Sequence, residues 1–323
     1  MLKSKLSVIT AVYNGAQYIE ETINSVLTHC SSIDFEYIVL NDGSTDNTLE
    51  LLNKYESRIR VIDKENSGES DSVSTGFKLA TGDLLLVVSA DDPLLTKDLF
   101  SGVFEKFTGD ANLMAIYPDW QMIDARGEVI KVIRVPDYSD ELLIGRCVTL
   151  PGPGVIFRKS AAVQISGRNP KWTFVGDYDF WLRLSRLGEL RHRPEVLAQW
   201  RHHPSSTSVS KRGLKMAQER INVVEEFLNN NSIPKNLQRM ALGNAYYMAA
   251  RISYFDRKIP AKKFLFLAFK KRRAWVEEAK LHEISYILFS PISRLFNPII
   301  NALFEKFGRS NYGTYKDSHN WYV

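Results

Sequence analysis

Four short apolar runs alternate with stretches of helical spacing over residues 6–107, and that alternation leaves few folds open. Residues 6–12, Leu-Ser-Val-Ile-Thr-Ala-Val, read as a first strand; Ile19, Ile23, Val26 and Leu27 follow at the spacing of one helix face. Residues 37–40 and 58–62 read as the second and third strands. Val73, Phe77 and Ala80 space a helix ahead of a fourth strand at 84–88. Leu99, Val103, Phe104 and Phe107 predict one more helix, capped by Thr96. Strands alternating with helices imply an α/β fold, with a mainly parallel sheet, flanking helices and right-handed crossovers.

Beyond residue 110 the pattern loosens. Residues 115–117 and 155–157 read as strands, and Pro151-Gly-Pro-Gly154 as a loop or a close backbone approach. Phe180, Leu184 and Leu187 mark a helix that begins near Asp177. The segment 205–210, Ser-Ser-Thr-Ser-Val-Ser, is polar throughout. After residue 211 the pattern is helical only, and 246–255 and 261–271 flank Asp256-Arg-Lys-Ile-Pro260 as an αα-hairpin would. Two regions follow: an α/β domain over 1–210 and an all-helical region over 211–323.

The fourth strand carries the strongest chemical signal. Its apolar run ends in Ser89-Ala-Asp91-Asp92-Pro93. Two adjacent carboxylates do not sit at a core edge unless a cation or a donor compensates them. Open α/β sheets bind ligands at the C-terminal strand ends. A hard divalent cation held between carboxylates and a diphosphate fits that position, and an Asp-Asp-Pro turn capping the next helix is the plainer alternative.

The chain has 44% apolar and 24% charged residues, as soluble globular chains do. Cys30 and Cys147 are its two cysteines, which points to reduced thiols in a cytoplasmic protein. Residues 1–6 hold no signal-peptide core, and no apolar run is long enough to span a bilayer. Of the net charge of +5, residues 251–280 supply ten Lys/Arg against three acids. That local excess points to an anionic partner for one late segment. Downstream, Ile284, Leu288, Ile292, Leu295, Ile299 and Leu303 form an apolar stripe interrupted by Pro291, Arg294 and Pro298. Such a tail either lies on an anionic membrane surface, at the inner face of the cell membrane, or packs as a helical subdomain or homodimer contact. No nucleic-acid partner is expected. No Gly-x-Gly-x-x-Gly follows the first strand and no Gly-Lys-Ser/Thr occurs, which excludes a Rossmann dehydrogenase and a P-loop enzyme.

Four blocks occur in an order and spacing that resemble the family 2 inverting glycosyltransferases. They are Ser7-Val-Ile-Thr-Ala-Val-Tyr-Asn14, Val39-Leu-Asn-Asp-Gly-Ser-Thr-Asp46, Gly82-Asp-Leu-Leu-Leu-Val-Val-Ser-Ala-Asp-Asp92 and Gly176-Asp-Tyr-Asp-Phe-Trp-Leu-Arg183. Tyr117-Pro-Asp-Trp-Gln-Met-Ile-Asp124 and Trp200-Arg-His-His-Pro-Ser-Ser-Thr-Ser208 resemble a bacterial surface-polysaccharide branch. The resemblance implies a GT-A fold, a Rossmann-like mixed sheet flanked by helices. It also implies a nucleotide-sugar donor read through uridine, an Mn²⁺ or Mg²⁺ cofactor, and a saccharide or lipid-linked saccharide acceptor.

Residue roles implied by the resemblance are as follows. Thr10, Val12 and Tyr13 would meet the nucleobase, with Tyr13 able to stack on a flat ring. Asp42 would accept the uracil imide, and Gly68 would let the backbone approach the nucleotide. Asp92 would bind the metal, Asp91 the ribose or the metal, and His203 the metal or diphosphate. Arg201 would contact phosphate or pair with an acid, and Asp119 would begin the acceptor site or form a turn. Asp177 would be the catalytic base, with Asp179 its rival unless that acid pairs with Arg183. Two departures stand out: Ser89 where many relatives have an acid, and Gly176 where the Glu of Glu-Asp is usual. They favour a rival reading, a catalytically decayed GT-A protein that binds nucleotide sugar or serves in assembly.

Overall fold

The computed structural model describes residues 5–204, 213–255 and 261–271. The apolar stripe at 284–303, the polar segment 205–210 and the hairpin loop 256–260 lie outside the described residues. The chain divides into two compact units. One comprises 1–139 and 149–204; the other comprises 140–148 and 205–323.

The first unit is built on a sheet in the order β3-β2-β1-β4-β7-β5-β6, with β8 on the other edge of β5. Strands β1 (Leu6–Val12), β2 (Phe35–Asp42), β3 (Arg60–Lys64) and β4 (Leu84–Val87) are parallel. Strand β7 (Ile156–Arg158) is antiparallel to both β4 and β5 (Leu113–Ile123), so β5 again runs in the direction of β4. Strand β6 (Val129–Ile133) pairs antiparallel with the upper part of β5, and β8 (Glu189–Arg201) pairs parallel along its length. The sheet is therefore mixed, and its parallel character belongs to β1–β4. The C-terminal ends of β1, β2, β4 and β5 all lie at one edge of the sheet.

Alternation decides which face each helix covers. Leu6, Val8 and Val12 of β1 pack with Ile19, Ile23, Val26 and Leu27 of α1 (Ile19–His29) in one buried cluster that also takes Leu84, Leu86, Ile116 and Leu197. Ile9 faces the other way. A Cβ on Gly76 of α3 (Glu69–Leu79) would stand 2.5 Å from the Ile9 side chain, so glycine lets α3 lie close on that face. Phe77 of α3, Phe157 of β7, and Phe180 and Trp181 of α6 (Gly176–Leu184) interlock there at ring distances of 4.9–5.7 Å. Each well-oriented pair of this kind adds about 0.5–1.5 kcal/mol beyond its burial.

Three local expectations are corrected. The helix expected through Leu99 and Phe107 is two pieces: a 3₁₀ turn at Lys97–Phe100, capped by Thr96, and α4 at Val103–Gly109. Gly102 between them sits at φ +66, a left-handed value that ends one helical segment before the next begins. The third strand starts at Arg60 because Arg58 N–H closes a turn on Tyr55 O at 2.8 Å. Pro118-Asp119 is not a turn; both residues lie inside β5, where the β8 register shifts. The smaller helices are α2 (Thr48–Asn53) and α5 (Lys159–Gln164).

The second unit is helical. It holds α7 (Leu214–Asn230), α8 (Lys235–Phe255) and α9 (Ala261–Lys271). Residues 140–148 join it through a π-helical turn at Glu141–Gly145. Gly145 takes a hydrogen bond from Asn244 Nδ2 at 2.7 Å, and a Cβ there would stand 2.5 Å from Met240 Sδ. Ala249, Ala250, Ile252, Phe264, Leu265 and Ala268 close the α8–α9 pair as the hairpin spacing predicts. No described helix is long and apolar enough to cross a membrane.

Candidate functional site

The loops after β1 and β2 are stitched together. Asn14 Oδ1 accepts from Thr45 N–H at 2.7 Å, and Ser44 Oγ accepts from Asn14 N–H at 2.9 Å. Asp46 Oδ1 accepts from both the backbone and the hydroxyl of Thr48 at the start of α2. Of the three residues expected to meet a nucleobase, only Tyr13 presents a side chain, 53% exposed. Thr10 is fully buried; its hydroxyl donates to Val88 O at 2.8 Å and pairs with Tyr37 Oη at 2.9 Å. Val12 lies in the α1-facing core. Thr10 therefore ties β1 to β4 and Val12 fills the core, which corrects the expectation for both side chains.

Asp42 ends β2 beneath the β3–α3 loop. Its Oδ1 accepts from Lys64 Nζ at 2.6 Å and Ser67 N–H at 2.9 Å, and its Oδ2 accepts from Gly68 N–H at 2.9 Å. Burial works to raise its pKa, but the Lys64, Ser67, Ser72 and Gly68 donors outweigh it and hold the carboxyl below the ordinary range. Gly68, at φ +92, supplies the turn that aims its N–H at Asp42, and no atom crowds the position its Cβ would take. A carboxylate has about four acceptor positions, so one imide donor remains compatible with these three.

At the end of β4 the acids turn in different directions. Asp92 is buried, and its Oδ1 accepts from Arg201 N–H at 2.7 Å. Burial first, and the Asp91 charge second, push its carboxyl well above the usual range. Asp91 is half-buried, with Oδ2 2.7 Å from His203 Nε2. The Tyr18 ring lies 4.9 Å from the His203 ring and 4.8 Å from the Arg201 guanidinium. Arg201 is 1% exposed and donates to Asp91 O, Asp124 O, Ala125 O and Glu21 Oε2. It pairs with an acid and anchors carbonyls, as one of its two expected roles required. His202 is exposed.

Asp177 opens α6 on the face opposite α1. A Cβ on Gly176 would stand 2.5 Å from Ser70 Oγ, and Ser70 in turn donates to Trp172 O at 3.2 Å. Ser70 lies in the first turn of α3, just after the C-terminal end of β3. That contact brings the start of α6, and with it the exposed Asp177, to the same edge of the sheet as Asp42 and the acidic turn. A side chain at position 176 therefore needs Ser70 Oγ to move. Asp179 is buried and held by Arg183 at 2.9 and 2.6 Å, which settles it as the ion-paired acid. Asp119 is also buried, accepting from Arg134, Val135 N–H and His192 at 2.8, 2.8 and 2.9 Å. Its carboxylate is committed to holding β5, β8 and the segment after β6 together.

The model of one family, glycosyl transferase family 2, matches residues 7–127. The match covers the part of the chain that carries β1 to β5 and leaves the rest of it unmatched. The chain is 28% identical over 232 residues to the hyaluronan synthase of Pasteurella multocida, 71% of this chain and 23% of that protein. The chain spans between about a fifth and a third of the curated synthases it matches, which include chondroitin synthases of P. multocida and Escherichia coli. Among solved structures it is similar to S. aureus TarS in complex with UDP-GlcNAc, at TM-score 0.62 and 16% identity, over 82% of this chain and 79% of that one. It is also similar to the mannosyltransferase PcManGT from Pyrobaculum calidifontis in complex with GDP-Man and Mn²⁺, at TM-score 0.55 and 13% identity, over 96% and 89%. The shared fold is GT-A.

Among the described residues no three His, Cys, Asp or Glu side chains form a ready-made cage. Asp91, Asp92 and His203 nevertheless offer oxygen and imidazole donors, and the buried Asp92 carboxylate is disfavoured by its burial and by the neighbouring Asp91 charge. Such a set fits a divalent ion that takes its remaining ligands from a diphosphate. Lys64, Tyr18 and Glu21 give no signal in the sequence, and neither does the contact of Ser70 with Trp172 and Gly176. Each acquires its role from a partner more than twenty residues away or across parallel strands, as the Asp42↔Lys64 register illustrates.

Proposed function

We propose that this protein is an inverting glycosyltransferase that moves a sugar from a nucleotide-diphosphate donor, read through uridine, to an acceptor hydroxyl in bacterial surface-polysaccharide synthesis. The observation that carries the reading is the Gly176–Ser70 contact, which supports Asp177 as a carboxylate at the ligand edge of the sheet. On this reading Tyr13 stacks on the base and Asp42 accepts its imide N–H. Asp91, Asp92 and His203 hold Mn²⁺ or Mg²⁺, which when bound neutralises the leaving diphosphate. Asp177 accepts the proton of the acceptor hydroxyl as its oxygen forms the new bond to the anomeric carbon and the bond to the diphosphate oxygen breaks. Direct displacement inverts that carbon in one step.

The acceptor is a saccharide or lipid-linked saccharide, and the basic, apolar tail is a candidate for an anionic membrane surface at the inner face of the cell membrane. The rival reading, a decayed binding or assembly module, loses support from Gly176, whose missing side chain has a packing reason. Incubation of the protein with a panel of nucleotide sugars and Mn²⁺, followed by assay of released nucleoside diphosphate, separates the two. Turnover of one donor above the metal-free control is expected; tight donor binding with no hydrolysis or transfer to any acceptor would favour the module.

A further inference from the structure

We propose that Trp120, Trp200 and His202 form a platform that grips a sugar ring of the acceptor; this rests on the transferase reading. Trp200 sits on β8 between Gln199, whose Nε2 donates to Pro93 O at 2.9 Å, and Arg201, which packs on Tyr18 of the α1 side. Successive side chains on a strand point to opposite faces, so Trp200 faces the side that carries α3 and α6. Trp120 meets it edge-on, with ring centroids 6.3 Å apart and planes at 83°. The exposed His202 ring stands 5.8 Å from Trp200. On the flank, a Cβ on Gly152 would come within 2.8 Å of Trp120 Nε1, so the Pro-Gly-Pro-Gly loop runs along one side of this indole.

Burial distinguishes this pair from core packing. Trp172 and Trp181 are 2% and 5% exposed, whereas Trp120 and Trp200 are only half-buried at the ligand edge of the sheet. A part-exposed indole offers flat apolar ring area to the C–H face of a pyranose, and a neighbouring imidazole offers a donor or acceptor to its hydroxyls. Sheet order assigns the ring to the acceptor. Asp42 on β2 and the two tryptophans on β5 and β8 lie on opposite sides of β4 and its acidic turn. A donor that reaches from Asp42 to Asp91 and Asp92 leaves the β5–β8 side to the acceptor, on the face that bears Asp177. Three aromatic rings suit a saccharide ring and give no reason to bind a simple alcohol.

The test uses the full chain with Mn²⁺ and UDP, and cellobiose, chitobiose and lactose as probes read by saturation-transfer NMR. At least one disaccharide should bind, and Trp200→Ala and Trp120→Ala should each weaken it about tenfold, while Trp200→Phe stays within about threefold. UDP affinity should not change in any variant. If either alanine variant melts early, Trp200→Phe and His202→Ala carry the comparison, with a graded loss expected for His202→Ala. Unchanged disaccharide binding in the folded variants, or no binding of any probe to the parent, overturns the platform while UDP binding still upholds the donor site. Tryptophan-dependent disaccharide binding without UDP binding supports the platform and overturns the donor reading.

Discussion

Ser70 Oγ occupies the space that a Cβ on Gly176 would need, 2.5 Å away. The position ahead of Asp177 is thus closed to any side chain unless Ser70 yields. Gly176→Ala should destabilise the protein by about 1–3 kcal/mol through overpacking, read as a lower urea midpoint. Adding Ser70→Gly should recover most of that loss. Full stability in Gly176→Ala alone would show that Ser70 Oγ swings aside at no cost and that the glycine has no packing reason.

Asp177 and Asp179 should separate cleanly. Asp177→Asn keeps size and cannot accept a proton, so transfer should fall by about 10²–10⁴-fold with donor affinity intact. Asp179→Asn weakens a buried, charge-assisted pair with Arg183 and should cost about 1–3 kcal/mol of stability. Near-normal transfer by Asp177→Asn would reassign the base.

Asp92→Ala should abolish the gain in nucleoside diphosphate affinity that Mn²⁺ confers, by about tenfold or more, while circular dichroism stays unchanged. Calorimetric titration of UDP with and without Mn²⁺ measures it. Equal affinities for UDP plus Mn²⁺ in parent and variant would remove Asp92 from the cation site.

Acid should expose the Asp42 cluster. In the folded protein the Asp42 carboxyl titrates below the ordinary aspartate range, so its contribution is complete above that range and is lost as pH falls through the lower, folded value. Lys64→Met removes a strong donor to the carboxylate and raises the folded pKa. The acid-unfolding midpoint, followed by tryptophan fluorescence, should therefore move to higher pH. A midpoint that stays fixed would show that the ion pair adds nothing to acid resistance.

Removal of residues 281–323 should release the protein from anionic liposomes, because it takes away the apolar stripe that acts together with the Lys/Arg excess of residues 251–280. Co-sedimentation at low and high salt reads this. Absence of salt-sensitive binding by the full chain would leave the tail as a packing or assembly element.

Local pattern alone determined much of this protein. Period-two and helical spacing exposed β1, α1, β4 and α6, and the paired acids after β4 marked the ligand edge, because each signal is complete within about ten neighbouring residues. The tertiary structure decided what those residues touch. Thr10 and Val12 read as ligand-facing yet are consumed by the core, since alternation along a strand does not say which neighbour stands across it. Asp119 and Arg201 are buried in networks assembled by β5–β8 pairing, which joins segments about 80 residues apart. Gly176 looked like a lost acid until α3 and α6 came together and Ser70 took the space. Strand order and register set such partnerships, and both emerge only when the whole sheet closes over its core.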